Sequence, residues 1–80
     1  PFLSISEEVF KEKLLEIPDE QFRSILNLRY LQDLPPVEIA HELKLPSSKF
    51  DKEFRHAFQE LMKKLNRRDL TAQDFALMGH

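Results

Sequence analysis

Cysteine is absent from this 80-residue chain, and glycine occurs once, at Gly79. Without cysteine there are no disulfides and no thiolate metal sites, a pattern compatible with a reducing cytoplasm, the expected location. A single glycine leaves no glycine-rich phosphate loop, so nucleotide hydrolysis has no support, and little of the chain reads as flexible linker. No apolar run approaches the ~20 residues of a membrane-spanning helix, so no membrane partner is expected. The first residues, PFLSIS, lack the basic start and apolar stretch of a secretory signal. There is no internal repeat and no low-complexity stretch. The chain starts at Pro1 rather than Met, which suggests a domain cut from a longer protein.

Metal and nucleophile chemistry are equally thin. His41 and His56 fall on separate expected helices and His80 is the terminal residue, with no cysteine and no second His at i+4. No cofactor is implied. Ser47 and Ser48 beside Asp51 have no general base arranged for them, and helix capping explains both. The expectation is a protein that is not an enzyme.

What the chain does have is 41% hydrophobic residues, seven of them Phe, and 32% charged residues. That suits a single globular domain over residues 1–80 whose short length demands an efficient core. The net charge of −2 conceals a separation. Residues 1–48 hold five Lys/Arg against nine Asp/Glu, and residues 49–68 hold seven against three. The last twelve residues hold two Asp and no basic residue. Positive charge is therefore concentrated in one segment.

Prolines at 18, 35, 36 and 46 punctuate the chain, and between them apolar residues recur at helical spacing. A first helix is expected over about residues 6–16, capped by Ser4 (with Glu7) or by Ser6 (with Ile5 and Phe10 as a staple), burying Val9, Phe10, Leu14 and Ile17. Asp19 suits the cap of a second helix reaching about Leu31, with Phe22, Ile25, Leu26 and Leu28 inward and Tyr30 at the edge. Pro36 fits the first turn of a short third helix ending near Leu43. A long fourth helix follows, capped by Ser47 or Ser48, with Ser48 and Asp51 at capping-box spacing and Phe50, Phe54, Ala57, Phe58, Leu61 and Leu65 along one face. A last short helix is expected from Thr71, with Asp74 three residues on, to Gly79 as its stop. The fold class is all-α, a compact four- to five-helix domain.

Residues 36–54, PVEIAHELKLPSSKFDKEF, have the organisation of a helix-turn-helix spanning about 36–65. Ala40 is small where two helices must cross, and Ile39, Leu43, Leu45 and Phe50 fill the wedge between them. Lys44 stands where a left-handed turn residue, commonly Gly, is wanted; a positive φ there would cost about 1 kcal/mol or somewhat more. With the Phe side inward, the helix from Ser48 must present Lys49, Lys52, Glu53, His56 and Arg55 outward. Its early residues suit the major groove: Lys49 and Lys52 for phosphate or guanine, Glu53 for cytosine N4. Arg55, Lys63, Lys64, Arg67 and Arg68 suit backbone phosphates. The bland readings are a solvated helix face for the basic segment and a Glu53–Lys49 pair for Glu53. Phe50, Phe54 and Phe58 follow the buried stripe and read as core.

The stretch from Ile17 to Leu65 resembles the fourth conserved region of bacterial RNA polymerase sigma factors. The resemblance is carried by LRYLQDL (28–34), EIAHEL (38–43) and RHAFQELMKKL (55–65). It implies promoter recognition at the −35 element by the helix from Ser48, and engagement of the polymerase β flap by the helices before it. A regulatory protein such as an anti-sigma factor is a further partner of that kind. The chain departs from the family pattern at Lys44 and Asp33, where glycine is usual, at Glu53, near which an Arg is usual, and by one extra residue near Phe22. The EIA-type match also fits LuxR-type regulator domains. The expected function is a sequence-specific, duplex promoter-DNA-binding domain of an initiation factor. The alternative is a helix-turn-helix protein-interaction module with little DNA affinity, motivated by the acidic first half, the departures in the recognition helix and the extra C-terminal segment.

Overall fold

The structure, a computed structural model, describes residues 3–67 and 69–78. Arg68, Gly79 and His80, which figure in the sequence reading, lie outside the described residues. Strand β1 (Leu3–Ser6) leads into helix α1 (Glu7–Leu15), followed by α2 (Glu20–Leu26), which runs on as a π-helical turn, Asn27–Leu31. Helices α3 (Pro36–Glu42) and α4 (Ser47–Lys64) come next, and strand β2 (Phe75–Met78) closes the order. The described domain is mostly helical with one small strand pair. No helix among the described residues is long and apolar enough to cross a membrane.

Local chemistry accounts for most helix starts. Of the two serines available to cap α1, Ser6 does so, accepting from the Val9 amide at 3.2 Å, while Ser4 sits in β1. Asp19 caps α2 by accepting from the Phe22 amide at 3.1 Å. Pro36 occupies the first turn of α3, where its missing N–H costs nothing. For α4 the expected serine cap and the Ser48–Asp51 box do not form. The helix starts one residue earlier, with extended Pro46 as its cap and Ser47 and Ser48 already inside the first turn.

The helix ends explain how a chain with so little glycine turns corners. Lys44 and Asn66 each follow a helix with φ of 57° and 59°. At the first, the Lys44 amide donates to the His41 carbonyl at 3.1 Å and the Leu45 amide to Ala40 at 2.9 Å. At the second, Asn66 donates to Lys63 at 3.1 Å and Arg67 to Met62 at 2.8 Å. Both are Schellman closures, satisfying carbonyls that a helix end leaves open. Asp33 (φ 58°) does the same job after the π turn, but the Leu34 amide reaches back to Leu28 at 3.0 Å, one residue further than the standard closure. The wider loop reflects the π turn, in which the Gln32 amide bonds Asn27 at 3.1 Å.

Fully enclosed Phe10, Ile17, Ile25, Leu26, Ile39 and Leu61 form the centre of the core, with Ala40, Phe50, Ala57, Phe58 and Met62 around them. Val9, expected inside, is 37% exposed. It falls at the edge of a short helix whose buried contacts are already met by Phe10 and Leu14. Arg23 donates to the Ile17 carbonyl and so closes the corner between α1 and α2.

The largest difference from the sequence reading is at the C-terminal end, where a strand replaces the fifth helix. Thr71 and Asp74 do bond to each other, but not as a helix cap: the Thr71 hydroxyl and amide donate to the Asp74 carboxylate at 3.0 and 3.3 Å, while the Asp74 amide bonds the Thr71 carbonyl at 3.0 Å and not the hydroxyl. The bonds close a turn, and the residues that follow do not continue it as a helix. They extend instead and pair in parallel with β1, Leu3 opposite Phe75 and Ser6 opposite Met78. Phe75 anchors the strand, its ring 4.9 Å from Tyr30, 5.8 Å from Phe58 and 6.1 Å from Phe10, mostly edge-on or tilted.

Phe75→Ala removes a ring shared by three elements and should lower unfolding free energy by about 3–5 kcal/mol, read by urea denaturation; a change under about 1 kcal/mol contradicts the anchoring role. Lys44→Gly relieves a left-handed residue and should raise the urea midpoint by the equivalent of about 0.5–1 kcal/mol at unchanged slope; a drop would show that the Lys side chain matters more than φ. Burial pushes the Tyr30 phenol up to about 12, partly opposed by the Arg29 guanidinium. Because the neutral phenol is favoured in the folded state, its contribution is intact below pH 10 and is lost as pH rises towards 12. Wild type should therefore lose up to about 2–3 kcal/mol more than Tyr30→Phe over that range, and parallel stability–pH curves for the two proteins would refute it.

Candidate nucleic-acid interface

The position of α4 is set by two constraints. Its apolar side, Phe50, Ala57, Phe58, Leu61 and Met62, is drawn into the core, and its start is fixed by the left-handed turn at Lys44. At 3.6 residues per turn, Lys49, Lys52, His56 and Lys63 then fall on the side away from the core. Arg55 lies on one flank of that face, and Glu53 and Lys64 on the other.

The side chains are distributed accordingly. Lys49, Lys52, Arg55, His56 and Lys63 are exposed, while Glu53, Lys64 and Arg67 are half-buried. Arg68 lies outside the described residues. Among the described residues Lys49, Lys52, Arg55 and Lys64 have no ion-pair partner, and Glu53 does not pair with Lys49. Two basic residues are less free. Lys63 approaches Glu60 at 3.6 Å, and Arg67 grips Asp69 through both Nε and Nη2 at 3.3 Å. The Asp69 carboxyl is held below its usual range first by that hydrogen bond from Arg67. The ring of His56 stands edge-on to Phe22 on α2, 6.4 Å between centroids, so α2 borders the site on that side.

Residues 70–72 border the opposite flank. A cleft of about 450 Å³ is lined there by Phe54, Arg55, Phe58, Gln59, Leu70 and Ala72, among others. Its neighbour of about 320 Å³ lies between Leu70, Met62 and Lys63. The C-terminal segment thus runs beside Arg55 and leaves Lys49 and Lys52 open to solvent.

The start of α4 carries a feature that residue spacing did not announce. Because Pro46 caps the helix and no side chain bonds the first turn, the amides of Ser47, Ser48 and Lys49 have no partner within the helix. No acidic residue lies in that turn. The start of α4 is thus the positive end of a helix dipole without a side-chain cap, with two serines and Lys49 in its first turn. A signal for it does exist in the sequence: a proline before two serines allows the helix to begin without a side-chain cap.

No protein family, curated protein or solved structure that the chain was compared with matches it.

Proposed function

We propose that this chain is a helix-turn-helix DNA-binding domain of a transcription initiation factor, working inside the cell without catalysis of its own. In this reading α3 is the supporting helix, residues 43–46 are the turn, and α4 enters the major groove of promoter DNA. The observation that carries it is the coupling of the left-handed closure at Lys44 to an α4 whose outward side bears Lys49 and Lys52, with Arg55 on its flank, none of them ion-paired among the described residues.

Lys49 and Lys52, in the first half of α4, would reach base edges or phosphates, with Glu53 and His56 beside them. The geometry weakens the last two, since Glu53 is half-buried and His56 leans against Phe22. Arg55, Lys63 and Lys64 would hold phosphates, as would Arg67 and Arg68 if free to do so.

The likeness to sigma-factor region four supports the same reading. The two positions where that pattern has glycine, Asp33 and Lys44, both take a left-handed backbone here, with φ of 58° and 57°. The additional residue near Phe22 precedes a π turn, which holds one residue more than an α turn. By that resemblance the polymerase β flap would engage the helices preceding α4.

A second reading, a protein-interaction module of sigma or LuxR type with little DNA affinity, draws on a different surface. Val37 is 74% exposed, and with Leu34, Glu38, His41 and Glu42 it lines a separate cleft of about 430 Å³ on α3. Contact with polymerase or an anti-sigma-like regulator would use such a face.

Mobility-shift and anisotropy titrations against promoter duplexes, with and without the polymerase flap, separate the two. Lys52→Glu or Arg55→Glu should weaken duplex binding more than about tenfold at moderate salt, and each lost phosphate contact should flatten the log–log salt slope by about 0.9. Unchanged affinity in a folded variant removes α4 as the docking face. Binding to flap but never to duplex transfers the function to the second reading.

A further inference from the structure

The segment after α4 bears on how tightly the proposed interface grips any duplex. Asn66, left-handed at φ 59°, ends α4, and the Arg67 amide is tied to the Met62 carbonyl at 2.8 Å. The backbone at Arg67 is therefore fixed where α4 stops. Its guanidinium lies in a two-point contact with Asp69, Nε to Oδ1 and Nη2 to Oδ2, both 3.3 Å. Asp69 is held in turn by the residues C-terminal to it. Leu70 lines both clefts beside α4, next to Phe58 and Gln59. Thr71 and Asp74 close the turn, and Phe75 is buried in the aromatic cluster. Asp69 is thus followed by an anchored segment.

Resting on the DNA-binding reading above, we propose that Asp69 is a specificity determinant: it occupies Arg67 and so removes one sequence-independent phosphate contact from the interface. Phosphate contacts raise affinity for every duplex alike, whereas base contacts discriminate. An interface that keeps Lys49 and Lys52 free while engaging Arg67 internally gives relatively more weight to the base-reading end of α4. The fork geometry matters because a guanidinium bound through two nitrogens presents fewer donors to a phosphate. The pair is exposed, with 40% and 70% of the two side chains accessible, so its effect is a moderate bias and not a block.

The test uses the whole chain and a short duplex of mixed sequence, with binding followed by fluorescence anisotropy across a salt series. Asp69→Asn frees Arg67 and should tighten binding to this duplex about twofold to fivefold and steepen the salt slope by about 0.9. Arg67→Gln alone should leave affinity and slope near those of the wild type. Combined with Asp69→Asn, it should cancel the gain. Glu12→Gln on α1 removes the same charge from an exposed position outside the proposed interface and should give neither change. Circular dichroism of each variant verifies the fold. If Arg67→Gln weakens the wild type as much as it weakens the Asp69→Asn protein, or if Glu12→Gln reproduces the gain, Asp69 is no determinant and the DNA reading stands. If none of the proteins binds duplex even at low salt, both fall.

Discussion

The left-handed turn at Lys44 is the constraint on which the arrangement depends. It lets the Leu45 amide close on Ala40 and sends the chain through Pro46 directly into α4. The direction of that exit decides which side of α4 meets the core. Once Phe50 and Phe58 are inside, Lys49, Lys52 and Lys63 of the same helix have nowhere to go but outward. A lysine is an awkward residue for such a backbone, costing about 1 kcal/mol against glycine. The chain accepts the same conformation at Asp33 and Asn66, where short polar side chains tolerate it better. A glycine-poor sequence thus makes corners from whatever residue stands there, provided packing on both sides holds the turn closed.

Legibility in the sequence tracks the range of the interactions involved. Asp19 is readable as a cap because its partner, the Phe22 amide, is three residues away. Lys49, Lys52 and Arg55 are readable as outward for a similar reason: helical periodicity is local, and the phenylalanines announce the buried side. The start of α4 is misjudged by one residue because it depends on a bond across the preceding turn. The strand pair cannot be seen at all, since β1 and β2 come from opposite ends of the chain and each is only four residues long. Thr71 and Asp74 make that error easy, because the bond from the Thr71 amide to the Asp74 carboxylate is half of a capping box and here closes an isolated turn. The Arg67–Asp69 pair is likewise hidden from helical spacing, because Asn66 has ended α4 before it.

Charge and packing are organised on the same axis. The acidic first half supplies the supporting helices, and the basic segment lies on the one helix whose apolar side is strong enough to hold it in a single orientation. The aromatic residues serve that end and show no sign of acting as stacking surfaces. Phe50 and Phe58 are buried, and Phe54 stacks between them at centroid distances of 5.9 and 6.4 Å. They stiffen the helix from its inner side and leave the outer side to polar chemistry.

The parallel sense of the strand pair also governs how the domain responds to mechanical load. Each strand has the other as its only sheet neighbour among the described residues, so neither end of the domain can come loose without unpairing its counterpart. Tension applied at Leu3 and at Met78 draws the two strands lengthwise past each other, because the loaded ends lie at opposite ends of the ladder. Their hydrogen bonds then share the force and do not open one by one. The element least expected from the sequence therefore makes the two ends of the domain a single latch.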